Sequence, residues 1–180
     1  MCLLACIASQ SAWAQGDGVI NREHTLKALF LYNFGSYIDW PEGDLRGADQ
    51  PFVIGILGSS PVESTLHEIA ATRTIDGRRI AIERFASGEA LKPCQILFIA
   101  RDASPQARGQ AVAALRGQQV LIVGETPGFA RQGGVANFFI EANKIRFEIN
   151  VDAAKQHHLK ISAKLLALAK IVDGNNADGS

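Results

Sequence analysis

FVIGILGSSPVESTLHEIA, residues 52–70, sets the fold class. Phe52, Val53, Ile54, Ile56 and Leu57 form a short apolar run of the kind that is buried on both faces of a sheet. Gly58 closes it, and Pro61 stands where a helix can begin. Val62, Leu66, Ile69 and Ala70 then recur at helical spacing. A buried strand leading through a tight turn into an amphipathic helix is the unit of an α/β domain.

The same unit recurs downstream. Asp76-Gly77 is a turn signal, and strict alternation follows it over residues 79–85. Residues 95–100 read as a buried strand. Ser104-Pro105 opens a helix that Gly117 ends, and Val120 to Val123 is another buried strand. The second half changes character: residues 135–140 and 144–150 form two strands joined by the short loop Glu141-Ala142-Asn143. Ile145, Phe147 and Ile149 mark the core face of the second of them. Asp152 is placed to cap a short helix that contains His157 and His158. Ser162 is placed to cap a last helix carrying Leu165, Leu166, Leu168, Ala169 and Val172. Upstream, LKALFLYNFGSYIDWP, residues 26–41, reads as a helix apolar on most faces, capped at Asn21 and ending near Gly35. Asn33 within it is expected to be a satisfied polar group fixing the helix in the core. The expected whole is a single three-layer α/β domain, a mixed sheet of about five or six strands flanked by helices.

Composition narrows the function classes. Eighteen basic residues balance eighteen acidic ones, with neither the excess nor the stripe that nucleic-acid binding requires. No apolar run approaches the length of a membrane span. Residues 1–14 form a short apolar run ending in Ala12-Trp13-Ala14, an A-x-A cleavage site without a charged leader, as in a truncated signal peptide. Residues 15–173 are then the mature domain, exported to the periplasm, and residues 174–180 a polar disordered tail. Cys94 alone remains after such cleavage; between Pro93 and an apolar strand it reads as a buried, inert thiol.

The motifs that carry chemistry are weak. The turn at Gly55 to Pro61 lacks the Gly spacing of a dinucleotide site and the Lys-Ser/Thr of a P-loop. Neighbouring His157 and His158 diverge by about 100° on a helix, so they do not converge on one ion. No G-x-S-x-G elbow is present. Gly124 to Gly134 is the richest glycine stretch, and it leaves open a small-molecule-binding sensor as the alternative. An enzyme ranks last, with no catalytic, cofactor or metal residue assignable.

Several blocks together resemble the YfiR-like family of exported bacterial proteins. Lys27-Ala28, then Phe30 to Phe34 and Trp40-Pro41, is similar to its opening helix. Ile54 to Gly58 is similar to its first strand and turn, and Cys94 to Ile99 to a strand that often begins with Cys. Gly124 to Phe129, Gly133-Gly134, Asn137-Phe138 and Lys144 to Asn150 resemble its second half. Leu159 to Ser162, with Lys164, Leu165, Leu166, Leu168 and Ala169, resembles its last helix. The resemblance implies a periplasmic regulator, prone to dimerise, with no enzymatic activity. It implies docking on the periplasmic sensor domain of an inner-membrane diguanylate cyclase, which is held inactive so that cyclic di-GMP falls and biofilm formation with it. It further implies a peptidoglycan-binding outer-membrane lipoprotein that draws the regulator away. A lone Cys94 cannot form the intrachain disulfides of the best-known member. Apolar and aromatic anchors with a charged rim are expected at the docking surface, with Phe138, Phe147, Lys160 and Lys164 as the partner-binding residues.

Overall fold

A computed structural model describes residues 14–40 and 50–174 of the chain, with side chains from residue 22 onward. The leader up to residue 13, the acidic loop after Trp40 and the end of the tail lie outside the described residues.

The first helix, α1 (Ala14–Ser36), leads into a two-residue strand, β1 (Ile38–Asp39). Next come β2 (Phe52–Leu57), α2 (Val62–Thr72), β3 (Thr74–Ile75), β4 (Arg78–Phe85), β5 (Ile96–Ile99), α3 (Pro105–Ala114) and β6 (Leu121–Gly124). A 3-10 turn (Phe129–Gln132) precedes the hairpin β7 (Ala136–Glu141) and β8 (Lys144–Asn150). The chain closes with α4 (Val151–Gln156), β9 (Lys160–Ile161), α5 (Ala163–Leu166) and β10 (Lys170–Val172).

Among the described residues ten strands make two sheets. The large one runs β10-β8-β7-β6-β5-β2-β4-β3, and β1 pairs with β9 in a small one. Strands β4, β2, β5, β6 and β7 are parallel, β8 returns antiparallel to β7, and β10 lies parallel to β8. The six strands legible in the sequence are the body of this mixed sheet, and β3 and β10 add one short strand at each edge.

Period-two alternation sorts the side chains into two cores. Ile54, Ile56, Ile96, Phe98, Leu121 and Val123 face α1 and α2. Leu57, Leu97, Ile99 and Ile122 face Ala111 and Leu115 of α3 and Phe129 of the 3-10 turn. Helices therefore cover both faces, which is why β2, β5 and β6 are apolar throughout. Over the hairpin, Phe34 of α1 stacks on Phe138 at 5.9 Å and meets Phe147 edge-on at 5.1 Å. Phe30 touches both rings, so this corner of the core is aromatic on both sides.

Ser104 caps α3 by accepting from the amide of Ala107, and Ser162 caps α5 by accepting from that of Leu165, both as the spacing predicts. Five expectations change. Asn21 is interior to α1, because no proline between residues 14 and 21 stops the helix there. Asn150, not Asp152, caps α4: the helix starts directly from the end of β8, and the Asn150 side chain accepts from Ala153. The hairpin turn is two residues, Ala142 and Asn143, both with positive φ, and Glu141 still pairs with Lys144. The last helix stops after one turn, and residues 170–172 become β10, because the free edge of β8 offers β-branched Ile171 and Val172 a ladder. Asn33, finally, is only half-buried and lies at the margin of the core.

A filled crevice and an open sheet edge as the candidate site

In an open α/β sheet ligands bind beyond the carboxyl ends of the strands, where the order of winding reverses. That point lies between β2 and β5, since α2 leads to one side of β2 and α3 to the other side of β5. The chain fills it with its own carboxylates. Asp102, just past β5, accepts the amide of Ser59, just past β2, at 2.9 and 3.2 Å. Gly58 takes φ +93° there, and a Cβ on it would stand 2.4 Å from Asp102 Oδ1. One strand over, Glu125 follows β6. Its Oε1 accepts the amide of Arg101 at 2.9 Å and its Oε2 accepts Lys27 Nζ of α1 at 2.6 Å. Lys27 also donates to Glu23 at 2.5 Å. Lys27 is 2% exposed and Glu125 7% exposed, so this pair is sealed, with the 24%-exposed Glu23 side chain at its outer side, and it clamps α1 onto the strand ends. Amides that could hold an anionic ligand already hold Asp102 and Glu125.

The glycine stretch 124–134 is filled in the same way. A Cβ on Gly124 would stand 2.3 Å from Phe129, and one on Gly134 would stand 2.3 Å from the same ring. The glycines make room for Phe129, itself buried, rather than for a ligand.

Cys94 is a free, buried thiol. Burial pushes it up to about 12, an amide contact from Gly55 works against this, and Glu83 adds to it, so the nucleophilic thiolate is suppressed. His157 is buried at the end of α4, with Nδ1 2.8 Å from the carbonyl of Gln118. Burial holds its pKa below the ordinary imidazole value, the Gln118 carbonyl opposes this, and the neighbouring His158 adds to it. Among the described residues no group of three His, Cys, Asp or Glu is placed to hold a metal ion.

The opposite margin of the large sheet is open. Ile140 at the hairpin is 53% exposed, and Leu168 and Ile171 around β10 are 63% and 49% exposed. Between β8 and the chain entering β10 runs a groove of about 290 Å³ lined by Phe139, Glu141, Arg146, Phe147, Leu168 and Lys170. The four residues expected to bind a partner divide by position. Phe138 and Phe147 are 2% and 3% exposed, packed under α1, so their rings serve the core and cannot anchor a partner in this conformation. Lys160 and Lys164 are on the surface: Lys160 lies 3.5 Å from Asp39 across the small sheet, and Lys164 stands 4.9 Å over the Tyr37 ring.

Residues 24–170 match the family model described as YfiR/HmsC-like. The chain belongs to the YfiR/HmsC-like family. It is a family of regulatory rather than catalytic proteins of the periplasm, linked to diguanylate cyclase signalling. The comparison with curated proteins returned no match. The matched span holds the whole sealed cluster except Glu23, and it holds the hairpin and the start of β10. The YfiR/HmsC-like blocks include Lys27 and Glu125, and the sequence alone assigns no role to them or to Asp102. The available signal was a lysine on an otherwise apolar helix face, which burial permits only beside a carboxylate.

Proposed function

We propose that this YfiR/HmsC-like chain is an exported periplasmic regulator that docks on the periplasmic sensor domain of an inner-membrane diguanylate cyclase. Docking holds the cyclase inactive and lowers cyclic di-GMP. A peptidoglycan-binding outer-membrane lipoprotein is the competing partner that relieves it. The regulator works by binding the inactive state of the sensor more tightly than the active one, which shifts a two-state equilibrium without chemistry of its own.

The observation that carries this reading is that Ile140, Leu168 and Ile171, three of the four exposed large apolar side chains among the described residues, all lie on β7, β10 or the turn entering β10. Exposed apolar groups of this kind mark docking surfaces, and polar residues rim them. Arg146 and Lys170, which line the adjoining groove, form that rim, and Lys160 and Lys164, beside the small sheet, are further contacts of the proposed surface. The filled crevice and the Phe129-filled glycine stretch favour a protein partner over a small solute.

Co-expression with a membrane diguanylate cyclase of the same organism should lower cyclic di-GMP, and deletion should raise it. Leu168→Glu with Ile140→Glu should abolish the effect while changing stability by no more than about 0.5 kcal/mol per site, since both side chains are largely in solvent. Cyclic di-GMP that stays constant under both co-expression and deletion rules out the cyclase as target.

A further inference from the structure

We propose that the open half of β8 is a strand-addition site for a short extended segment of the docking partner, one carrying acidic side chains among apolar ones. The proposal rests on the docking reading above and specifies how the contact is made.

The register of the hairpin decides which main-chain groups are available. Residues 136–141 pair with 149–144, and the amide of Asn150 donates to the carbonyl of Val135 at 2.9 Å. Antiparallel pairing alternates, so Lys144, Arg146, Glu148 and Asn150 turn their main-chain groups towards β7, and Ile145, Phe147 and Ile149 turn theirs outward. Strand β10 covers only part of that outer edge: it pairs with Glu148, Ile149 and Asn150 and goes no further. The outward groups of Ile145 and the amide of Phe147 lie beyond the ladder among the described residues. Beside them the chain at residues 168–169 swings away, and the groove of about 290 Å³ occupies the gap. What completes an open ladder is another strand.

Side chains around this edge suit such a strand on both faces. Alternation from the paired registers puts Ile140, Ile145 and Ile171 on the α1 side of the sheet. It puts Phe139, Arg146 and Lys170 on the other. An added strand would therefore meet apolar side chains on the α1 side and Phe139 between two cations on the other.

Charge selects the occupant. Arg146 and Lys170 line the gap, with Lys144 at the start of the same strand, against Glu141 in the lining and Glu148, whose carboxylate is buried and accepts from Asn137. The Arg146–Glu141 contact is loose, 4.0 Å between two exposed side chains, and Lys170 lies 5.5 Å over the Phe139 ring rather than on a carboxylate. This leaves an excess of positive charge for acidic residues of the incoming segment. A second copy of this chain is the wrong partner: two β8 edges paired about a two-fold axis would set Lys144 and Arg146 against the same residues of the other copy.

Two measurements test the proposal. In the free chain the amides of Ile145 and Phe147 should exchange with deuterium faster than that of Ile149. A hexapeptide alternating valine and glutamate, at millimolar concentration, should shift and protect those two amides, and its valine–lysine counterpart should not. No response to the acidic peptide, or an equal response to both, overturns the proposal. The second measurement uses Ile145→Pro, which removes an outward amide and leaves the β7–β8 ladder whole, because proline is tolerated where the N–H faces away from the sheet. In a variant that still melts cooperatively, binding to the periplasmic sensor domain of a membrane diguanylate cyclase of the same organism should weaken by about tenfold. Unchanged binding overturns strand addition and leaves docking standing. If the sensor domain does not bind the wild type but the acidic peptide protects the edge, the cyclase reading falls and the strand site stands. Dimerisation that protects the same amides in the absence of peptide assigns the edge to a second copy and overturns the proposal.

Discussion

Removing the Lys27 ammonium would leave Glu23 and Glu125 facing one another with no cation between them. Breaking a buried ion cluster by deleting one partner costs about 3–5 kcal/mol, because the remaining charge stays desolvated. Lys27→Met should therefore destabilise the fold by that order in urea titrations. Lys27→Met with Glu125→Gln should recover much of the loss, since the glutamine carbonyl can still accept the amide of Arg101. Equal losses in the single and double variants would mean that the side-chain packing of Lys27, not its charge, supports α1. His157 is a second buried group with a testable consequence. Its folded pKa lies below the unfolded value, so the unfolded chain takes the proton first as pH falls. Its contribution is complete above about pH 6.5 and is lost as pH falls from there towards the folded pKa. The difference in stability between pH 7.5 and pH 5.5 should shrink in His157→Gln, and an unchanged difference would remove His157 from the acid sensitivity.

At the scale of elements, the hairpin and α1 stand or fall together. Phe138 and Phe147 form the floor on which Phe30 and Phe34 lie. Phe138→Ala or Phe147→Ala should cost about 3–5 kcal/mol in chemical denaturation, the range for emptying a buried aromatic site. A partner anchor would instead melt like the wild type and lose only binding. Period-two alternation already revealed which face of β8 is apolar. It could not reveal whether the chain or a partner covers that face, because α1 is more than 100 residues away in sequence. The same limit hid β10. Leu165, Leu166, Leu168 and Ala169 continue a helical pattern, and only the uncovered end of β8 converts Lys170–Val172 into a strand. Where both neighbours are local, as at Ser104 and Ser162, the reading was sufficient to locate the cap. The body of the sheet was legible for a related reason: β2, β5 and β6 are buried on both faces, and a continuous apolar run states that without reference to anything distant. The sealed cluster was only half legible: Glu23 and Lys27 lie four apart on α1, but Glu125 joins them only after β6 has been placed beneath α1.

Across the whole molecule the crevice that serves ligands in related architectures and the margin that is apolar and exposed are different places. The first is closed by Asp102, Glu125 and Lys27, and the second carries Ile140, Leu168 and Ile171. On the proposed reading, a regulator built this way would respond to proteins at its sheet edge rather than to solutes at its strand ends. Ligand binding to the native state alone raises stability by RT ln(1 + [L]/Kd), about 2.7 kcal/mol at a hundredfold excess over Kd. Amino acids, nucleotides and common cofactors at millimolar concentration should therefore leave the melting temperature of the wild type where it is. The sensor domain of the cyclase should raise it, and should fail to do so with the Leu168→Glu, Ile140→Glu variant. A small molecule that raises the melting temperature of that variant and of the wild type alike would show a solute site away from the margin, and would restore the solute-sensor alternative that the filled crevice argues against.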